Sequence, residues 1–466
     1  MAKNFFEEYK DFIGDFIYGI IGSPFDNSCL REKISKEKAT MFKIEIVCEI
    51  NEYFIDFYIP NNNKYIHAKI KSPITDDVLS LTKNICSFFT KISKFKYSGS
   101  GFNRPEISVM NQLEQYRYAV QRGVCNWICG NENGEKIEEL FCILEKCSKK
   151  TYEGRKVSYS LIVDISNEEK DEDSFFEFLK DEFSATLTDS ITSAFIINKN
   201  GKLLKYCSVI DEENHEKVGE YNLNNNIPFR FANLIYKEVV DKKIGIFLLT
   251  NGDILVSKKR ELILVKRNGK WLNCQLSSFE NAVKDFASFY RIELKLLHEI
   301  FYTMLDISFS HTGGLISILL DDVFLKGDNQ IISTFDQLEN EISEKELAEN
   351  IKNENKQLSE NEIKREVKKR ILKKKTLLTL LGEKRAFIDI ERKLRSELAA
   401  LDGACIIDKN GDLIAIGTII QNDKGSSGGG RGAAAKKLSQ NGLAIKISTD
   451  GYIEVFLKGS RIYFIK

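Results

Sequence analysis

Apolar residues fall in short alternating runs through the first hundred positions. The segments MFKIEIVCEI (41–50) and YFIDFYIP (53–60) repeat with a period near two, which predicts strands. The segment VLSLTKNICSFFTKISKF (78–95) carries helical spacing, as does 108–150. Residues 1–150 therefore read as an N-terminal α+β domain, open to a sensor role, with no visible chemistry. TYEGRKVSYSLIVDI (151–165) then predicts a turn followed by a strand.

Two later stretches resemble one another. Ala194 to Leu204 (AFIINKNGKLL) and Ala404 to Ile414 (ACIIDKNGDLI) agree at seven of eleven positions, and each reads as strand, Lys-Asn-Gly turn, strand. Downstream, IGIFLLTNGDILVS (244–257) parallels LAIKISTDGYIEVF (443–456), again a hairpin. One short helical segment lies between the hairpins of each copy, FRFANLIYKEVV (229–240) or RGAAAKKLSQ (431–440). Matching order and spacing point to an internal duplication. The pattern predicts an α/β protein with a mixed central sheet flanked by helices. The domains expected are 1–150, 151–285 and 286–466.

One stretch breaks the pattern. Residues 324–376 are almost wholly polar, rich in Glu, Lys and Asn, with sparse Ile and Leu at helical spacing. They read as one or two solvated helices inserted in the last domain. The basic end, Lys364 to Lys375, has the charge to touch an anionic partner.

Composition narrows the function classes. Basic and acidic side chains balance at 68 each, which argues against a chain that coats nucleic acid, though not against a local basic patch. Met1 to Ser23 mixes apolar and charged residues without a basic start and a clean apolar core, so no signal peptide is expected. No run of roughly 18 uncharged apolar residues occurs, so no membrane insertion is expected either. Of the ten cysteines, only Cys125 with Cys129 and Cys142 with Cys147 are close in sequence, and neither pair has metal-site spacing. Buried free thiols in a reducing cytoplasm are the first reading, and a metal or redox role is the second. The four histidines, His67, His215, His298 and His311, leave little room for imidazole catalysis.

The candidate chemistry sits near the C-terminus. Asp402-Gly403-Ala404 precedes a strand. A carboxylate where a strand begins, followed by glycine, lets a phosphate-bearing ligand approach the backbone and can hold a divalent metal or deprotonate a hydroxyl. Gly425-Ser426-Ser427-Gly428-Gly429-Gly430-Arg431 runs directly into an Ala-rich helix. Free backbone N–H groups, a helix N-terminus, two hydroxyls and a guanidinium all favour phosphate there. A flexible linker is the plain alternative. The loop is no P-loop, because no Gly-Lys-Ser/Thr follows the glycines. Gly428 to Ala433 does fit G-x-G-x-x-A, but the dinucleotide fold needs several further βα units and only about 30 residues remain. Ser448 and Asp450 place a hydroxyl and a second acid in a predicted hairpin tip. His311-Thr312-Gly313-Gly314 opens an apolar strand that could floor a base pocket.

In this order, these elements resemble the diadenylate cyclase domain family, the nucleotide-binding domain of the DNA-integrity scanning protein and of membrane cyclases. The resemblance covers about 286–466 and is interrupted by the polar insertion. It implies condensation of two ATP to cyclic di-AMP and pyrophosphate, with Mg²⁺ or Mn²⁺. By that resemblance Asp402 binds the metal or activates the ribose 3′-hydroxyl, and the backbone of Gly403 and Ala404 contacts the nucleotide. Ser426, Ser427, Gly428, Gly429, Gly430 and Arg431 would cradle phosphates, Ser448 would touch the nucleotide, and Asp450 would be an acid on the metal side. Many members have Gly-Thr-Arg-His-Arg-Ala-Ala where this chain has Gly-Gly-Arg431-Gly432-Ala433-Ala434-Ala435, so one arginine stands in place of two with a histidine. That form, and TYEGRK, resemble a divergent, sensor-linked branch. The first copy has Thr192-Ser193-Ala194 in place of Asp-Gly-Ala and is expected to be degenerate. A product with two phosphodiester bonds implies a face-to-face homodimer, or the copy at 190–265 in the facing position within one chain, which would leave only half a reaction centre. Rival readings are a non-catalytic sensor of ATP or a cyclic dinucleotide, and a scaffold without ligand.

Overall fold

The computed structural model describes residues 13–14, 16–22, 30–39, 43–49, 52–58, 63–70, 78–88, 112–130, 134–169, 175–189, 191–209, 227–327, 329–341, 343–354, 357–420 and 429–465. The chain divides into two compact units between Ala282 and Val283. Both are mixed α/β, with sheets flanked by helices.

The first unit begins with a four-stranded antiparallel sheet of β1 (Leu30–Ile34), β2 (Lys43–Glu49), β3 (Glu52–Tyr58) and β4 (Lys64–Ile70), in the order β1-β4-β3-β2. Helices Gln112–Ile128 and Glu135–Cys147 follow. The turn expected at 151–156 is a two-stranded ribbon, β5 (Thr151–Tyr152) and β6 (Arg155–Lys156). Then comes a seven-stranded sheet of β7 (Tyr159–Asp164), β8 (Ser193–Asn198), β9 (Leu203–Ser208), β10 (Lys243–Leu248), β11 (Ile254–Lys258), β12 (Glu261–Arg267) and β13 (Lys270–Asn273). Its order is β13-β12-β11-β10-β7-β8-β9. One buried cluster runs from Ile13 to Trp271, so no break in packing falls near residue 150. Phe141 meets Trp271 edge-on at 5.1 Å, for example, and Gln121 accepts from the Trp271 indole at 2.9 Å.

The second unit carries β14 (Gly314–Leu319), β15 (Ala404–Asp408), β16 (Leu413–Thr418), β17 (Gly442–Ile447), β18 (Ile453–Leu457) and β19 (Ser460–Ile465), in the order β16-β15-β14-β17-β18-β19. β14 is central and wholly buried, as its apolar-rich sequence suits a strand covered on both faces, and its one polar side chain, Ser317, donates to the Leu443 carbonyl at 3.0 Å. It pairs in parallel with β15 and antiparallel with β17. One face is covered by the helix Gly429–Leu438, whose Ala434, Ala435 and Leu438 are buried against Leu315, Ile406 and Ala444. Alanines allow that helix to lie close on the sheet. Before β14 runs the helix Leu294–Ser310, and before β15 the helix Arg392–Ala399.

The expected duplication is visible as topology. β9-β8-β7-β10-β11-β12 in one unit and β16-β15-β14-β17-β18-β19 in the other share strand order and, where registers are defined, pairing sense. Even the bulges correspond, at Ile196/Ile197 and at Ile406/Ile407. In both hairpins the turn is held the same way. Asn198 Oδ1 accepts from the amides of Asn200 and Lys202, and Asp408 Oδ1 accepts from those of Asn410 and Asp412.

The polar insertion departs from its expectation. It lies in the β14–β15 crossover as helices Glu344–Glu354 and Glu360–Leu381. They are not merely solvated. Leu347, Ile351, Ile363 and Val367 form a small core of their own with Phe335. A capping box starts the longer helix: Ser359 donates from its amide to Glu362 at 2.8 Å. The sparse apolar residues looked too few for a core because each helix contributes only one narrow stripe.

Candidate functional site

The chain is led to Asp402 by a buried ionic frame. The Arg392 guanidinium clamps the Asp306 carboxylate at 2.7 and 2.9 Å. Arg395 donates to Glu299, to Thr303 Oγ1 at 3.0 Å and to the Phe387 carbonyl at 3.1 Å. Both arginines are buried. Buried charges persist only when paired and hydrogen-bonded this fully, so the frame locks Arg392–Ala399 onto Leu294–Ser310. The chain leaves that helix at Ala400 and reaches Asp402 two residues later.

Gly403 turns the chain into β15 with φ at +106°. A Cβ there would lie 2.5 Å from the Gly417 carbonyl carbon and 2.6 Å from the Thr418 oxygen, both backbone. Only glycine fits. The Asp402 side chain is thrown outward and is 93% exposed. Ala404 lies buried at the start of the strand.

Arg431 comes from the first turn of the Gly429–Leu438 helix. Its guanidinium lies 3.9 Å from the Asp402 carboxylate and over Gly313, where a Cβ would be 2.5 Å from Nη1. Thr449 borders the same spot. The Thr449 carbonyl meets Nδ1 of His311 at 2.9 Å, and His311 ends its helix in the left-handed conformation. Among the described residues, the buried Arg431 Nε has no hydrogen-bond partner. The guanidinium is thus held by packing, and its donors are not consumed by a strong ion pair. A 3.9 Å contact to so exposed a carboxylate adds little stability.

The structure therefore brings Asp402, Gly403 and Arg431 together at one end of the sheet, beside the starts of β14 and β15. Ser426, Ser427 and Gly428 lie outside the described residues. Gly429 and Gly430 form the first turn of the helix. Ser448 is engaged in the β17–β18 turn, where its hydroxyl accepts from the Tyr452 amide at 3.0 Å and its own amide donates to the Tyr452 carbonyl. Asp450 is exposed at that hairpin tip. Among the described residues no group of three His, Cys, Asp or Glu side chains is arranged to hold a metal ion. The described cysteines of this unit reduce to Cys405, a free, buried thiol pushed up to about 12 by burial.

The sequence marked the basic end Lys364 to Lys375 as able to touch an anion but did not place it beside Asp402. A cleft of about 720 Å³ opens between Asp402, the end of β16 and the helix Glu360–Leu381. Lys373 reaches across to the Gly417 carbonyl at 2.7 Å. Gly417 itself has φ +62°, and a Cβ on it would sit 3.0 Å from Lys373 Nζ. Asp336 accepts from Thr418 Oγ1 at 2.7 Å. Lys374 donates to the carbonyls of Phe335, Gln337 and Asn340, and burial pushes its ammonium below the usual lysine range. The signal was present only as a lysine run, which reads as a solvated face until its partner is known.

Among the described residues no helix is long and apolar enough to cross a membrane. No family model and no curated protein matches the chain. A solved structure described as a hypothetical membrane spanning protein from Bacillus cereus is similar at 16% identity, over 41% of this chain and 72% of that one, with a TM-score of 0.23. A likeness of that size settles neither fold nor activity.

Proposed function

We propose that the second unit binds ATP and condenses two molecules of it to cyclic di-AMP, releasing pyrophosphate. The observation that carries this reading is the convergence of Asp402 and Arg431 at 3.9 Å beside two glycines, Gly403 and Gly313, whose missing side chains keep this end of the sheet bare. Asp402 is exposed and outward, so a ligand can reach its carboxylate. Arg431 keeps donors available for phosphate oxygens.

In the reaction, the 3′-hydroxyl oxygen of one ATP bonds to the α-phosphorus of the other, and the bond from that phosphorus to the bridging oxygen breaks. Pyrophosphate leaves, and Asp402 takes the hydroxyl proton. Repetition in the opposite sense closes the ring. Arg431 offsets the charge that builds on the phosphates, which is where stabilisation is differential. In the alternative role, Asp402 would be one carboxylate ligand of a Mg²⁺ or Mn²⁺, with phosphate and water supplying the other oxygens. When bound, that cation neutralises phosphate charge. Each such site activates one nucleotide, so two copies of this unit facing one another complete the product. The first unit's copy would supply only half a reaction centre, because Thr192 and Ser193 replace the acid and the glycine.

A second reading, a sensor that binds nucleotide without turnover, is favoured by the lone arginine in the glycine loop. Incubating the purified chain with ATP and Mn²⁺ and weighing the products by mass spectrometry separates the two. Cyclic di-AMP supports the cyclase. Tight ATP binding without product supports the sensor, and no ATP binding removes both.

A further inference from the structure

The lysine-rich insertion helix lies beside the end of β16 and borders a cleft shared with Asp402, and its side chains divide sharply by role. Lys374 spends its three N–H groups on the carbonyls of Phe335, Gln337 and Asn340. It is a nail: it fixes the rotation of the helix on the β16 side. Its neighbour Lys373 is exposed and donates to the Gly417 carbonyl. No carboxylate of the described residues lies within ion-pair distance of it, although Asp402 borders the same cleft. Lys369 and Arg370 stand one turn back on the same face, about 5 Å along the axis. Lys369 Nζ lies 3.5 Å and Arg370 Nε 3.4 Å from the Glu366 carboxylate. Three cationic heads thus follow one another into a cleft next to the exposed acid.

We propose that this face of the helix Glu360–Leu381 is a polyphosphate subsite, with Lys373 its main ligand and Lys369 and Arg370 its outer end. The inference rests on the nucleotide reading above and deepens it: the glycine loop offers Arg431 alone, and the insertion supplies the cations for the β- and γ-phosphates. A row of cations spaced a helical turn apart matches a linear chain of phosphates better than a single small anion. The cleft volume falls within the range of small-molecule sites, roughly 300–1,000 Å³. Gly417 holds a left-handed φ of +62° that favours glycine, and a Cβ there would lie 3.0 Å from Lys373 Nζ.

The test uses the full chain and calorimetry with three probes: an ATP analogue with a methylene between the α- and β-phosphorus, AMP, and pyrophosphate. Lys373→Met should weaken the analogue and pyrophosphate about ten- to a hundredfold, the span of one charge-assisted hydrogen bond, and leave AMP unchanged. Lys373→Arg should recover part of the loss, and Lys373→Gln should behave as Lys373→Met does. Equal weakening of AMP and the analogue would overturn the subsite, because the effect would then be general rather than polyphosphate-specific. Unchanged analogue affinity in Lys373→Met, with wild type binding, overturns it while leaving the nucleotide reading intact. Wild type that binds pyrophosphate through Lys373 but neither nucleotide keeps the subsite and removes the nucleotide reading. Wild type that binds none of the three removes both.

Discussion

The two sheets carry one topology, yet the chain begins the corresponding strand differently in each. In the second unit it passes into β15 through Asp402 and Gly403, with the carboxylate outward and the backbone bare. In the first, the equivalent residues at β8 are Thr192 and Ser193, and Asp189 closes over them. Its carboxylate accepts from the amides of Ile191, Thr192 and Ser193 at 2.9, 2.7 and 3.2 Å and from the Thr192 hydroxyl at 2.6 Å. The polar groups that a ligand would use are satisfied internally. The crossovers differ as well. The first copy joins β7 to β8 with only the short helix Phe175–Lys180 and a 3₁₀ segment, Glu182–Thr186, among its described residues. The second inserts two helices and their cleft at the corresponding place. The sheet tolerates either arrangement, because strand order depends on the apolar interior and not on the residues at the strand ends.

Asp402→Asn strikes this difference hardest. It keeps size and turn propensity but removes the charge. Product formation should fall a hundredfold or more, as for loss of a general base, while Thr192→Ala in the other copy leaves turnover alone. Equal turnover in Asp402→Asn and wild type would make β8 and β15 functionally alike at their first residues. Arg431→Ala should weaken ATP binding by about 1.5–3 kcal/mol, and Arg431→Lys should restore part of it, since the charge survives but the planar fork does not. A calorimetric affinity equal to wild type would turn the glycine segment into a linker.

Gly403→Ala tests the backbone side. The clash with Gly417 and Thr418 and the left-handed φ should cost about 1–3 kcal/mol in denaturant unfolding, whereas Ser193→Ala should cost less. Equal costs would mean that Gly403 is not confined. A smaller change is expected in acid. Although burial pushes Asp189 up, hydrogen bonds from Thr192, Ile191 and Ser193 hold its carboxyl below the ordinary 3.8. A carboxyl lowered in the folded state contributes stability above its unfolded value and loses it as pH falls through the folded one. Wild type should therefore lose thermal midpoint below about pH 4 more steeply than Asp189→Asn. Parallel pH curves would show that the closure over Thr192 is weak.

Much of the fold was legible because it depends on local patterns. The Lys-Asn-Gly hairpins at 194–204 and 404–414 announced themselves by turn chemistry, and β14 by the apolar residues after Gly314, although the sequence did not show that both of its faces are covered. Asp402 and Arg431 stood out by residue type and by the glycines beside them. Arg392 and Arg395 did not. In sequence they belong to an ordinary charged helix, and only their burial against Asp306, Glu299 and Thr303 makes them the frame of the site. Lys373 was lost in a lysine run for the same reason, and Gly417 looked like any strand-end glycine.

The order of amino acids was enough to define the elements, the repeated hairpins and the acid at the start of β15, since each follows from contacts a few residues apart. Only the folded chain determines that Arg431 meets Asp402 across 29 positions of sequence, that the insertion walls a cleft instead of standing in water, and which of two adjacent lysines is structural. Those outcomes depend on where the β14–β15 crossover lays its helices. No periodicity encodes that, because it is fixed by packing between segments far apart in sequence.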